Sequence, residues 1–250
     1  MEVHHHPNVE KKNFKGYLLE FVMIFLAVTL GFFAESIREN LTDHSKEKEY
    51  VKSMIADLKN DTAMLREIID VNIRRVSGID TFSSLLNKVS LTVDDEKQLY
   101  ILNSRYASNV ASMDWSDGTI RQLLTSGNLR LMSGQGVSDS IMNYYGPLKD
   151  LASGQANVLS EAVKRAYFTA EDIFDRSYIR VIMNKDSSFS RKPLPDTMSV
   201  LTTDKAVLKK YSQMVLTTQG LINNYLDMLF HMYKRADALL LFLQDKYDIN

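Results

Sequence analysis

Residues 16–34 read GYLLEFVMIFLAVTLGFFA, 19 positions with one charge, Glu20. As a helix rising roughly 1.5 Å per residue, the stretch covers about 28 Å, close to the hydrocarbon thickness of a bilayer. Two other readings compete with a membrane span. A buried core helix seldom runs from Phe21 to Ala34 with Thr29 as its only polar interruption. A cleavable signal peptide would suit Lys11, Lys12 and Lys15 as its basic leader. However, the apolar run is long for that role, and Phe32 and Phe33 stand where a small-residue cleavage site belongs. The expectation is an uncleaved signal anchor at 16–34, preceded by a short arm at 1–15.

Working outward, the flanking charges give only a weak orientation. Lys11, Lys12 and Lys15 precede the segment, and Arg38, Lys46 and Lys48 follow it, so the positive-inside rule is nearly balanced. The upstream lysines crowd the edge, whereas the downstream ones are diluted by Glu35, Glu39, Asp43, Glu47 and Glu49. This predicts a cytoplasmic N-terminus in a bacterial inner membrane and a periplasmic domain after it. An arm of this size is too short for a signalling domain. Inside the segment, Glu20 is an intramembrane carboxylate, either an ion or proton site in a helix assembly or a group that reaches the interface. Ala27 and Gly31 form a small-xxx-small pair on which another helix can approach closely.

Beyond Ala34 the chain turns polar, and neither Gly nor Pro interrupts 32–77. Val51, Ile55, Leu58, Thr62, Leu65, Ile69, Asn72 and Val76 recur at alternating spacings of four and three, a heptad-like, coiled-coil type of seam. One helical stalk is expected over 35–78, with Gly78 as its stop. Its seam is open to another subunit or to later helices of the same chain, which themselves need a partner. Helical periodicity continues through 79–250. Thr92 begins an acidic first turn suited to a cap. A break falls at 113–118, and turns fall near 126–128 and 133–134. A helix then runs from 137 to 174 with a kink at Gly146-Pro147. Tyr178 to Met183 reads as a short β segment, 184–199 as a loop, and 203–247 as the final helix. The predicted fold is all-α: a transmembrane helix continuing into an elongated helical bundle that packs on the stalk.

The composition removes most chemistries. The chain has 250 residues, no Cys, and 30 Lys plus Arg against 31 Asp plus Glu, a net charge of −1. That excludes disulfides and Cys-ligated metals, and it argues against a nucleic-acid partner. No Gly-rich phosphate loop, GxSxG, HExxH or CxxC is present. His4, His5 and His6 are adjacent imidazoles with some capacity for a transition metal, but adjacent side chains rarely close a site, and no metal is expected. His44 and His231 stand apart from carboxylates at ligand spacing. Asp114-Trp115-Ser116-Asp117-Gly118 holds the single Trp. Asp114, Trp115 and Asp117 either face a partner or form an interhelix corner, in which Trp115 plugs the core and Ser116 or Asp117 caps the next helix. Tyr144, Tyr145, Tyr167, Phe168 and Phe174 suggest an aromatic-rich helical surface used for packing. No catalytic residue, cofactor or small-molecule substrate is expected. The expected partners are the bilayer and either another protein or further copies of the chain.

Two stretches carry a resemblance. MEVHHHPNVEKKNFKGYLLEFVMIFLAVTLGFFAESIREN (1–40), followed by KEKEYVKSMIADLKND (46–61), closely resembles uncharacterised single-pass membrane-anchored proteins of Bacteroidota. TIRQLLTSGNLRLMSGQGVSDSIMNYY (119–145) resembles a second, weaker signature of the same group. Together they cover about 85 of the 250 residues. The resemblance implies that the histidine-rich start is native and that an inner-membrane anchor carries a soluble helical domain. It implies no activity and no catalytic residues.

Overall fold

The structure, a computed structural model, describes residues 13–132, 134–182 and 195–249. The fold is all-α, with no strand among the described residues. Seven α-helices follow one another there: α1 (Phe14–Leu86), α2 (Val93–Leu102), α3 (Gly118–Thr125), α4 (Val137–Tyr145), α5 (Pro147–Thr169), α6 (Arg176–Ile182) and α7 (Lys205–Tyr247). The chain divides into two compact units, one ending at Tyr50 and one beginning at Val51.

In the first unit, α1 carries the apolar segment. Its large side chains are open, with Phe25 58% and Phe32 73% exposed. Thr29 satisfies its own hydroxyl by donating to the Phe25 carbonyl at 2.7 Å, so the helix surface presents no unmet side-chain donor at that position. Just beyond Ala34, Arg38 pairs with Glu35 one turn earlier.

In the second unit, the rest of α1 runs antiparallel to α7. Ser83 meets Ser212 through their hydroxyls at 2.8 Å. Gln219 donates to the Val76 carbonyl at 2.9 Å and to Asp80 at 2.6 Å, and Arg66 donates to the Tyr233 hydroxyl at 2.6 Å. Falling numbers on α1 thus meet rising numbers on α7. Both helices bury heptad-spaced faces. On α1 these are Val51, Ile55, Leu58, Leu65 and Ile69, with Thr62 and Asn72 as buried polar members. On α7 the steps of three and four run without a slip from Leu208 through Tyr211, Val215, Ile222 and Leu229 to Leu243. α4 and α5 complete the core by packing on α7 and on each other.

Gly78 is not a stop. α1 continues past it for two further turns to Leu86, because the missing Cβ is needed for packing: an added methyl would overlap the ring of Tyr106. The helix ends where Asn87 turns back, its amide donating to the Ser83 carbonyl at 2.8 Å. Gly78→Ala should therefore destabilise the bundle by about 2 kcal/mol, since overpacking outweighs the gain of about 1 kcal/mol in helix propensity. Chemical unfolding in neutral detergent checks this, and a stabilised variant would contradict it.

Thr92 caps α2 as its sequence predicts. The Asp95 N–H donates to its hydroxyl at 3.2 Å, and the Thr92 N–H donates back to the Asp95 carboxylate at 2.8 Å, a reciprocal capping box. Gly127 (φ 69°) and Gly136 (φ 77°) take the left-handed turns that β-carbons disfavour. The expected kink at Gly146-Pro147 is a full break between α4 and α5, with Pro147 at the first position of α5, where its missing N–H costs nothing.

The β segment expected from Tyr178 is instead helix α6; Met183 lies outside the described residues. A lone strand has no neighbour to take its backbone N–H and C=O groups, whereas a helix satisfies its own. The loop expected at 184–199 falls partly outside the described residues. Its described end is packed, with Met198 buried, the Val200 N–H bonded to Glu96 at 2.8 Å, and Asp196 paired with Lys97 at 2.7 Å.

Candidate functional sites

Two regions carry the residues singled out in the sequence. In the apolar segment, helical geometry aligns them. At about 100° per residue, positions 20, 27 and 31 fall within an arc of roughly 40°. Glu20, Ala27 and Gly31 therefore lie on one stripe of α1. All three are exposed, and a Cβ at Gly31 would meet nothing within 4 Å. The stripe is shaped for close approach of a second helix, with a carboxylate toward its N-terminal end.

The Asp114–Gly118 corner leads into α3. Asp114 is exposed and Trp115 is half-buried. Asp117 occupies the cap position of α3 but its side chain accepts no backbone N–H of the helix, so the expected side-chain cap from Ser116 or Asp117 is not made. Asp117 pairs instead with Lys149 at 3.0 Å and with Arg121 at 3.2 Å. Such pairs outcompete a local cap because their bonds are charge-assisted at both ends. Although burial pushes the other way, these two cations hold the Asp117 carboxyl below its ordinary value. Carboxylates from α1 take over the capping. Asp57 accepts the Thr119 N–H at 3.2 Å, and Asp61 accepts the Ser116 N–H at 2.8 Å.

Asp61 is the centre of this region. It is 0% exposed and accepts the Tyr144 hydroxyl at 2.6 Å on its second oxygen. Burial raises its carboxyl above the usual range, against the pull of Tyr144, Ser116 and Lys149. Lys149, itself buried, places its ammonium 5.5 Å from the Trp115 ring and 5.4 Å from the Tyr145 ring. Tyr145 stacks edge-on against Tyr144 at 4.7 Å, and its buried hydroxyl has no hydrogen-bond partner. A cavity of about 240 Å³ opens beside Trp115 and Met113. One Asp61 oxygen ties the corner to α1 and the other holds Tyr144 of α4, and the Lys149 charge ties Asp117 to α5, while Asp114 stays exposed.

Asp61 is 83 residues before Tyr144 in sequence, whereas Tyr144 and Lys149 sit close together at the junction of α4 and α5. Asp61 lies one position before Thr62 of the seam, among the charges that read as a solvated face, and so carried no signal of its own in the sequence. The aromatic surface expected from Tyr144 to Phe174 divides in the structure. Tyr144 belongs to the Asp61 centre, and Phe174 packs with Phe82, Tyr100 and Tyr211, while Tyr167 and Phe168 stay exposed. His4, His5 and His6 lie outside the described residues. Among the described residues, no group of three or more His, Asp or Glu side chains is arranged to hold a metal ion. Compared with known proteins, the chain matches no family model, no curated protein and no solved structure.

Proposed function

We propose that this chain is a non-enzymatic, single-pass inner-membrane protein whose helical domain is an interaction or sensory module, or an accessory subunit of a larger membrane complex. The observation that carries the reading is the segment at 16–34, a helical apolar run with none of its side chains buried. Apolar area on that scale is unfavourable in water and needs lipid or protein around it. The lysines at the upstream edge support a cytoplasmic N-terminus and a periplasmic domain. Helix shifts pass along packed elements, so a helix leaving the bilayer suits mechanical coupling to a partner. The corner's ionisable groups act as caps and ion pairs, which supports a structural use of its charge.

After alkaline carbonate washing, the wild-type chain is expected in the membrane pellet. Leu26→Arg with Leu30→Arg, at about 3 kcal/mol per charge near the bilayer centre, should move it to the supernatant or block insertion. Extraction of the wild type by carbonate would sink the proposal. Pull-down from native membranes should recover a stoichiometric partner, and external protease should digest the helical domain in spheroplasts.

The Glu20, Ala27 and Gly31 stripe favours one alternative, a homo-oligomeric channel or ion-coupled assembly. In that case Glu20→Gln changes conductance or proton coupling, and a monomeric mass in detergent rules the assembly out.

A further inference from the structure

Arg75 lies on α1 within the second unit and is only 4% exposed. Its hydrogen-bond partners are all neutral. Nε and Nη2 donate to the Tyr106 carbonyl at 3.4 and 3.3 Å, and Nη1 donates to the Asn72 side-chain oxygen at 3.3 Å. A guanidinium has five N–H groups, so one on Nη1 and one on Nη2 remain to be used. Burial is the sole influence on its titration, bringing it down to about 10 with no carboxylate acting in return. A buried cation without a counter-charge is costly, and a neutral amide would bridge the same carbonyl without that cost.

Two further arginines lie near it. Arg75 lines a cleft of about 420 Å³ together with Arg74 and Arg105, and Asn109 is on the same wall. No acidic residue is among its described lining. The walls are fixed: Asn72 donates to the Ala111 carbonyl at 3.4 Å and to the Ile68 carbonyl at 3.0 Å, which ties the 106–111 segment to α1. Three guanidinium groups around one fixed cleft suit a ligand with more than one negative charge and several acceptor oxygens. The volume holds a phosphate group with a small organic attachment.

We infer that the cleft lined by Arg74, Arg75 and Arg105 binds an oxyanion of the phosphate class, with Arg75 as its buried donor. This inference does not depend on the membrane reading.

Inorganic phosphate titrated calorimetrically into the full chain in neutral detergent, at constant ionic strength, should bind saturably with a Kd of about 1 mM or tighter. Arg74→Ala with Arg105→Ala should weaken binding at least about tenfold, with the phosphate-free unfolding curve recorded to show that the variant is folded. Arg75→Gln should also lose binding, and the double variant carries the test if Arg75→Gln fails to fold. Two nanodisc arms, phosphatidylcholine alone and phosphatidylcholine with phosphatidylglycerol, separate the sources. Equal phosphate affinity in both marks a soluble anion, and competition by phosphatidylglycerol marks a lipid headgroup; either supports the cleft. Absence of saturable binding, or a double variant that binds as tightly as the wild type, overturns it.

Discussion

Asp61→Ala should lower stability by about 3 kcal/mol, whereas Asp61→Asn should cost about 1 kcal/mol or less. The alanine orphans two donors at once, the buried Tyr144 hydroxyl and the half-buried Ser116 N–H. Asparagine keeps one oxygen for the Ser116 N–H and turns its amide toward the Tyr144 oxygen, which then accepts in place of donating. The pH dependence separates the asparagine variant from the wild type. Asp61's carboxyl sits above its ordinary value because of burial. A folded value above the unfolded one means that the native state holds the proton more tightly. The stability this contributes is complete below the unfolded value and is lost as pH rises through the folded one. The asparagine variant has no carboxyl to titrate at this position, so the difference between Asp61→Asn and wild type should shift toward the variant from acid to neutral pH. Denaturant unfolding at several pH values checks this, and equal losses for the two variants would contradict the assignment of Asp61 as the acceptor of both bonds.

Phe82→Ala should be the most damaging single core change, at about 4 kcal/mol, or about 10 °C in midpoint. Phe82 is fully buried on α1, with Tyr211 edge-on at 6.0 Å and Phe174 at 6.4 Å. The neighbours cannot collapse into the space because they are fixed elsewhere. Tyr211 donates to Asn103 at 2.6 Å. Phe174 is held against Tyr100, whose hydroxyl donates to the Ser199 carbonyl and accepts the Asp175 N–H, each at 2.9 Å. Phe82→Leu keeps most of the volume and should lose about 1.5 kcal/mol. Urea titrations should show a lower midpoint with an unchanged slope. A loss under about 1 kcal/mol for the alanine variant would mean that the cluster is loosely packed.

The seam from Val51 to Ile69, the capping box at Thr92, the break at the Trp corner and the final helix were legible because each rests on local rules of period, cap chemistry or punctuation. Gly78 and Tyr178 were not. Glycine at 78 reads as a stop by propensity, but its role is to make room for the ring of Tyr106, far along the chain. The β-branched residues around Tyr178 favour a strand only if another strand lies alongside, and among the described residues none does. The alignment of Glu20 with Ala27 and Gly31 was available to anyone who applied the helical period.

By itself, the sequence determined that this is an all-helical chain with one segment apolar enough to cross a membrane. Both follow from periodicity and composition along a single stretch. Tertiary structure decided that Asp57 and Asp61 cap a corner distant in sequence, that Lys149 neutralises Asp117, and that Arg75 is buried with no acid beside it. Those are meetings between distant segments. Charge depends on what surrounds it in space, and no local pattern encodes which distant groups the packing of α1 and α7 brings together.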